Sequence, residues 1–135
     1  MTFAEPRFNL SERELDPSTT VITVAGELHV TTAPDFSASL NDAIADGKTS
    51  VVLDMTDVAF IDSTGLSVLL NALRRVTRRD GRLALVCTNP TVLRLFEITR
   101  LDSTFDIRPD VDAAVASVRN GSDGQAAGGS TAGAP

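Results

Sequence analysis

Ser63 and Thr64 place two hydroxyls between Asp62 and Gly65, at the head of a leucine-rich run. A hydroxyl in such a setting can accept a phosphoryl group, which adds about −1.5 to −2 charges and three strong acceptor oxygens. Asp62 and Ser63 are both good helix-capping residues, so whichever caps, Ser63 stands at or within one position of a helix N-terminus. First-turn N–H groups lack intrahelical partners and the helix dipole is positive there, so that end accommodates an anion on Ser63. Chemistry leaves two readings of this serine open: a plain cap or first-turn residue, and a regulated phosphoacceptor. Gly65 removes a side chain from the same turn, which leaves room for a partner backbone or active site to approach.

Other reactive residue types form weaker patterns. Asp54, Asp57 and Asp62 invite comparison with a metal or general-acid cluster, but His29 is the only histidine and no Gly-rich loop of the Walker type precedes a helix. No nucleophile and base pair can be nominated, so the chain reads as the substrate of an enzyme rather than as an enzyme, with no metal and no cofactor expected. Cys87 is the single cysteine and sits in the apolar run from Leu83, which suits a buried thiol acting as a small hydrophobe. Arg74, Arg75, Arg78, Arg79 and Arg82 gather towards the end of the leucine-rich helix. Cations there complement the negative helix C-terminus and keep an exposed face solvated; the competing reading is contact with an acidic surface on a protein partner.

The elements that position these residues follow from periodicity. Phe8 and Leu10 alternate with polar neighbours in Arg7 to Leu15, Asp16-Pro17-Ser18-Thr19 forms a turn, and Thr20 to Ala25 alternates again, which predicts an antiparallel hairpin. After Gly26-Glu27-Leu28-His29, Thr32-Ala33-Pro34-Asp35 reads as a helix start with a hydroxyl cap, and Gly47 as the stop. Val51 to Met55 and Leu83 to Cys87 have the length and composition of buried parallel strands. Between them, Leu66, Leu69, Leu70 and Leu73 lie at the spacing of one helical face, ended by Gly81. Asn89-Pro90 opens a short helix carrying Val92, Leu93 and Phe96; a short strand near Phe105 to Ile107 and a last helix with Val111, Ala114, Val115 and Val118 complete the pattern. This alternation predicts a single α/β domain with a mixed, mostly parallel sheet of four or five strands, an N-terminal antiparallel hairpin and about four helices.

Composition narrows the partners. At 135 residues the chain suits one domain, and its net charge of −6 repels nucleic acid and anionic lipid. Trp and Tyr are absent, which removes the usual base-stacking platforms. We therefore expect no direct contact with nucleic acid or membrane. Met1 to Pro6 has neither a basic start nor an apolar stretch, so the expectation is a flexible N-terminus without a secretory signal, and a cytoplasmic protein. Residues 7–119 form the expected domain. Residues 120–135 are mostly Gly, Ala, Ser, Thr and Gln with no large apolar side chain, the composition of a disordered tail.

With these residues in place, Val51 to Leu66 resembles the signature of anti-sigma-factor antagonists of the STAS family, with a strand and a Val58, Phe60, Ile61 step leading into Asp62-Ser63-Thr64-Gly65-Leu66. The likeness extends to Gly26-Glu27-Leu28, Asp80-Gly81 and Asn89-Pro90, and covers roughly residues 7–119. The resemblance implies that Ser63 is phosphorylated by a cognate anti-sigma factor that is itself a serine kinase, with Thr64 as a secondary acceptor. It implies that the unphosphorylated form binds the anti-sigma factor and frees the sigma factor, that phosphorylation breaks the complex, and that a protein phosphatase acting on phospho-Ser63 restores it. Asp62, Ser63, Thr64, Gly65, Glu27 and His29 are then the expected partner-binding residues. The family's other implied role is that of a non-catalytic STAS subunit in a transport or scaffolding complex. Many relatives carry Asp after the Gly-Glu-Leu triplet, where this chain has His29. That departure bears on the partner more than on the fold.

Overall fold

The computed structural model describes residues 8–120. Strand β1 (Asn9–Asp16) turns through Pro17 and Ser18 into β2 (Thr19–Leu28), and the two pair antiparallel from Asn9↔Ala25 to Asp16↔Thr19. The turn is closed by Asp16, whose carboxylate accepts from the Ser18 N–H at 2.9 Å. Helix α1 (Ala33–Ala45) leads to β3 (Ser50–Ile61), α2 (Ser63–Thr77) and β4 (Arg82–Val86). Helix α3 (Pro90–Ile98), a short 3₁₀ turn, β5 (Asp106–Arg108) and α4 (Val111–Asn120) follow. The sheet order is β1-β2-β3-β4-β5, with every neighbouring pair after the hairpin parallel. The five-stranded mixed sheet, the N-terminal hairpin and the four helices agree with the architecture expected from sequence.

Both faces of the central strands are buried, which explains their unbroken apolar runs. Val51, Leu53 and Met55 face one side, where Phe36 and Leu40 of α1 and Leu66, Leu69 and Val76 of α2 close the larger core. Val52, Ala84 and Val86 face the other side, covered by Ala114 and Val118 of α4. Phe96 and Phe105 meet edge to face at 5.9 Å in the larger core.

Several boundaries differ from the sequence reading. β2 runs through Leu28 and β3 through Ile61, well past Ala25 and Met55. Register shifts between Thr23 and Ala25, and between Gly26 and Glu27, absorb extra residues of β3 and keep the pair joined as far as Leu28↔Ile61. Gly26 supplies a positive φ of 97° there. On α2 the buried stripe is Leu66, Leu69, Ala72 and Val76, while Leu70 and Leu73 are only partly covered. The inward face is thus rotated relative to the leucine pattern. Thr32 occupies the N-cap of α1 without capping it: its hydroxyl donates to the Glu27 carbonyl at 2.7 Å and accepts from the His29 N–H at 3.1 Å. Cys87 follows β4 and is buried, and desolvation pushes its thiol pKa up. Asn120 is the last residue of α4 rather than the first of a tail. The expectations for residues 1–7 and 121–135 lie outside the described residues.

Candidate functional site

β2 and β3 end side by side, and the register pairs Glu27 with Phe60 and Leu28 with Ile61. One residue beyond Ile61, Asp62 turns the chain into α2. Its N–H donates to the Leu28 carbonyl at 3.0 Å, and its extended backbone (φ −107°, ψ −172°) is that of an N-cap. The Asp62 side chain, through Oδ1, accepts from the Thr64 N–H at 2.9 Å and the Gly65 N–H at 3.1 Å. Asp62 is therefore the cap and Ser63 the first helical residue, which settles the choice between them.

This geometry changes how an anion on Ser63 would be received. The first-turn N–H groups of Thr64 and Gly65 are already bound to a carboxylate, so they are not a vacant cradle for phosphate. Ser63 is exposed, and among the described residues its hydroxyl has no hydrogen-bond partner; only its carbonyl is engaged, by the Ser67 hydroxyl at 2.9 Å. Thr64, one position on, is half-buried.

Gly65 is buried, and the space of its missing side chain is filled from within the chain. A Cβ there would lie 2.7 Å from Ile61 Cγ1 and 3.0 Å from both Cβ and the carbonyl oxygen of Leu28. The glycine lets α2 start hard against the ends of β2 and β3. It positions Ser63 and offers no surface of its own to a partner.

Glu27 and His29 stand at the same end of the sheet. His29 Nε2 lies 3.4 Å from Glu27 Oε1, and its Nδ1 accepts from the Thr31 N–H at 3.3 Å. Beside them are two large apolar side chains that sequence reasoning missed, Val30 at 70% exposure and Phe60 at 45%. The available signal was Phe60 itself, adjacent in sequence to the inward-facing Ile61 and so free to point away from the core. Val30 and Phe60 both leave apolar area open to solvent at the end of the sheet that carries the turn.

The remaining candidates separate. Asp54 binds the Thr56 N–H and hydroxyl, Asp62 caps α2, and among the described residues no group of three or more His, Cys, Asp or Glu is arranged to hold a metal. The arginines of α2 lie towards its other end. Arg79 donates to the Ile44 carbonyl at 2.7 Å and ties α2 to the end of α1. No helix among the described residues is long and apolar enough to cross a membrane.

The STAS domain family model aligns with residues 11–114, a span that includes the turn and both strands leading to it. The chain belongs to the STAS family. A STAS relative, the anti-sigma-B factor antagonist of Listeria monocytogenes, is 36% identical over 98 residues, covering 71% of this chain and 84% of its own. Among solved structures, an anti-sigma factor antagonist from Mycobacterium paratuberculosis superposes with a TM-score of 0.73 at 28% identity, over 85% of this chain and 95% of that one. The anti-sigma factor antagonist SpoIIAA in its unphosphorylated form gives a TM-score of 0.71 at 25% identity, over 84% and 97%.

Proposed function

We propose that this chain is an anti-sigma factor antagonist switched by phosphorylation of Ser63. The observation that carries the reading is the exposed Ser63 hydroxyl, unpartnered among the described residues, at the first position of α2, on a surface that also holds Glu27, His29, Val30 and Phe60. The family and the names of its relatives support it.

In the unphosphorylated state, Val30 and Phe60 supply apolar area for an anti-sigma factor, with Asp62, Ser63, Thr64, Glu27 and His29 as the polar surround. Docking there brings Ser63 to the kinase site of the same partner. The Ser63 oxygen attacks the terminal phosphorus of ATP, the bond to ADP breaks, and the hydroxyl proton passes to the kinase. Because Asp62 holds the nearest N–H groups, the new dianion is left beside a carboxylate on the docking surface. Docking would now have to strip water from this concentrated negative charge, which costs several kcal/mol unless the partner pairs it, and about 2.8 kcal/mol already lowers affinity 100-fold. The complex separates while the domain stays folded. A phosphatase that hydrolyses the phosphoserine returns the hydroxyl and the binding state. Ser63 is preferred to Thr64 as acceptor because it is the more exposed of the two.

The test uses wild type and Ser63→Glu as parallel baits in a lysate of the source organism, with captured proteins identified by mass spectrometry. Capture of an anti-sigma factor kinase by wild type and its loss with Ser63→Glu is the expected result, followed by phosphorylation mapped to Ser63 when the purified pair is given ATP. Equal capture of a transport or scaffold subunit by both baits would replace the switch with a connector role.

A further inference from the structure

At the other end of α2, three arginines carry charge that no acid answers among the described residues. The closing carbonyls of the helix are bound by backbone: the Arg78 N–H reaches the Arg74 carbonyl at 3.0 Å, the Gly81 N–H reaches Val76 at 2.8 Å, and the Asp80 N–H reaches Thr77 at 3.0 Å. Arg79 is spent on α1. Arg74 touches only the neutral Asn71 side chain, at 3.3 Å, and among the described residues Arg74, Arg75 and Arg78 make no ion pair, in a chain whose net charge is −6. These three line one wall of a 260 Å³ groove between α1 and α2. The facing wall, from α1, is neutral: Ser37 and Asn41, joined by a 3.3 Å hydrogen bond. Leu40, Val68 and Asn71 complete the lining, and no carboxylate among the described residues joins it.

We infer that this groove binds a small ligand carrying two or more phosphate groups. Guanidinium forks match phosphate oxygens in pairs and remain charged at any working pH, and the amide and hydroxyl opposite add neutral hydrogen-bonding groups. Arginines held for contact within the chain would face acids, and here they face Ser37 and Asn41. The volume is just below the roughly 300–1,000 Å³ of pockets that enclose a drug-sized ligand, so it takes a phosphate chain or a small phosphorylated molecule. Arg75 lies twelve residues along α2 from Ser63, about 18 Å at 1.5 Å per residue, so the ligand leaves the Ser63 surface uncovered.

Titration calorimetry on the full chain at constant ionic strength tests this, with sodium tripolyphosphate and ATP as the two probes. Saturable binding of tripolyphosphate is expected, weakened about tenfold or more in Arg75→Gln/Arg78→Gln. Arg94→Gln/Arg100→Gln, which removes the same charge elsewhere, should bind like wild type. Equal affinity for ATP identifies the phosphate chain as what is recognised, and much tighter ATP binding identifies a nucleotide as its source. No saturable heat up to about 1 mM would overturn the proposal. So would equal weakening in both double variants, or in neither. Circular dichroism melts of each variant separate lost binding from lost fold.

Discussion

The two ends of the sheet are built differently. At the amino end of the parallel strands, polar groups are tied to one another: the Ser18 carbonyl accepts from the Thr49 and Ser50 N–H groups at 3.0 and 2.9 Å, and the Thr49 carbonyl accepts from Arg82 at 2.7 Å. Lys48, 8% exposed, pairs with Glu14 at 3.3 Å, and Arg119 of α4 pairs with Asp16 at 2.8 Å. At the carboxyl end the ties run underneath, through Asp62 and Gly65, and the outer layer is unsatisfied: Val30, Phe60 and the Ser63 hydroxyl face solvent. On the proposed function, stability and contact fall to opposite ends. A switch at Ser63 can therefore alter the docking surface without loosening the core.

Glycines at the two ends give the sharpest ways to break this division. Gly81→Ala should have the largest effect on stability, because the new Cβ would sit 2.5 Å from the Thr49 carbonyl oxygen and 3.0 Å from Thr49 Cα, so backbone must move. A cost of about 3 kcal/mol is expected in urea unfolding. An unfolding midpoint close to wild type would show that the amino end is softer than its hydrogen bonds suggest. Ser63→Glu comes next and on a different axis: affinity for the anti-sigma factor should fall about 100-fold. Its unfolding free energy should stay within about 0.5 kcal/mol of wild type. Ser63→Ala should keep both fold and binding, locking the bound state; loss of binding there would make the hydroxyl itself a required contact. Gly65→Ala should cost about 1–2 kcal/mol, less than Gly81→Ala, because the closest atom is a side-chain carbon of Ile61 that can shift and alanine favours the helix. A larger loss than Gly81→Ala would reverse the ranking of the two ends.

Much of this division is legible in the residues. Period-two alternation in the hairpin, short apolar runs in the central strands and helical spacing elsewhere locate the strands and the four helices, and Asn89 caps α3 as its type predicts, its side chain accepting from the Thr91 N–H at 2.9 Å. Asp62-Ser63-Thr64-Gly65 marks the turn. What escaped depends on register. The length of β3 is hidden because Thr56, Asp57 and Ala59 interrupt its apolar run, and bulges rather than alternation keep it paired. The exposure of Phe60 and Val30 is likewise set by where β2 and β3 end, which residue types do not mark. The capture of the Thr64 and Gly65 N–H groups by Asp62 is a side-chain choice, invisible in residue types that favour either cap equally.

The smallest effect should come from Asp16, and its pH dependence tests the amino end directly. The Thr19 side chain lowers this carboxyl most, desolvation opposes it, and the Ser18 N–H, Arg119 and the Ser18 hydroxyl lower it further, so its pKa is held at about 2 instead of 3.8. A carboxylate with a depressed folded-state pKa binds fewer protons folded than unfolded, so its contribution is fully present above the unfolded value near 3.8 and fades as pH falls towards 2. Urea midpoints of wild type and Asp16→Asn should therefore differ most at neutral pH and converge in acid. A gap that persists unchanged at low pH would mean that the Asp16 charge is irrelevant and that the turn is held by side-chain shape alone. A gap that closes over this window would assign the join between the hairpin and α4 to an ionised Asp16, and so place charge pairing at the end of the sheet that does not switch.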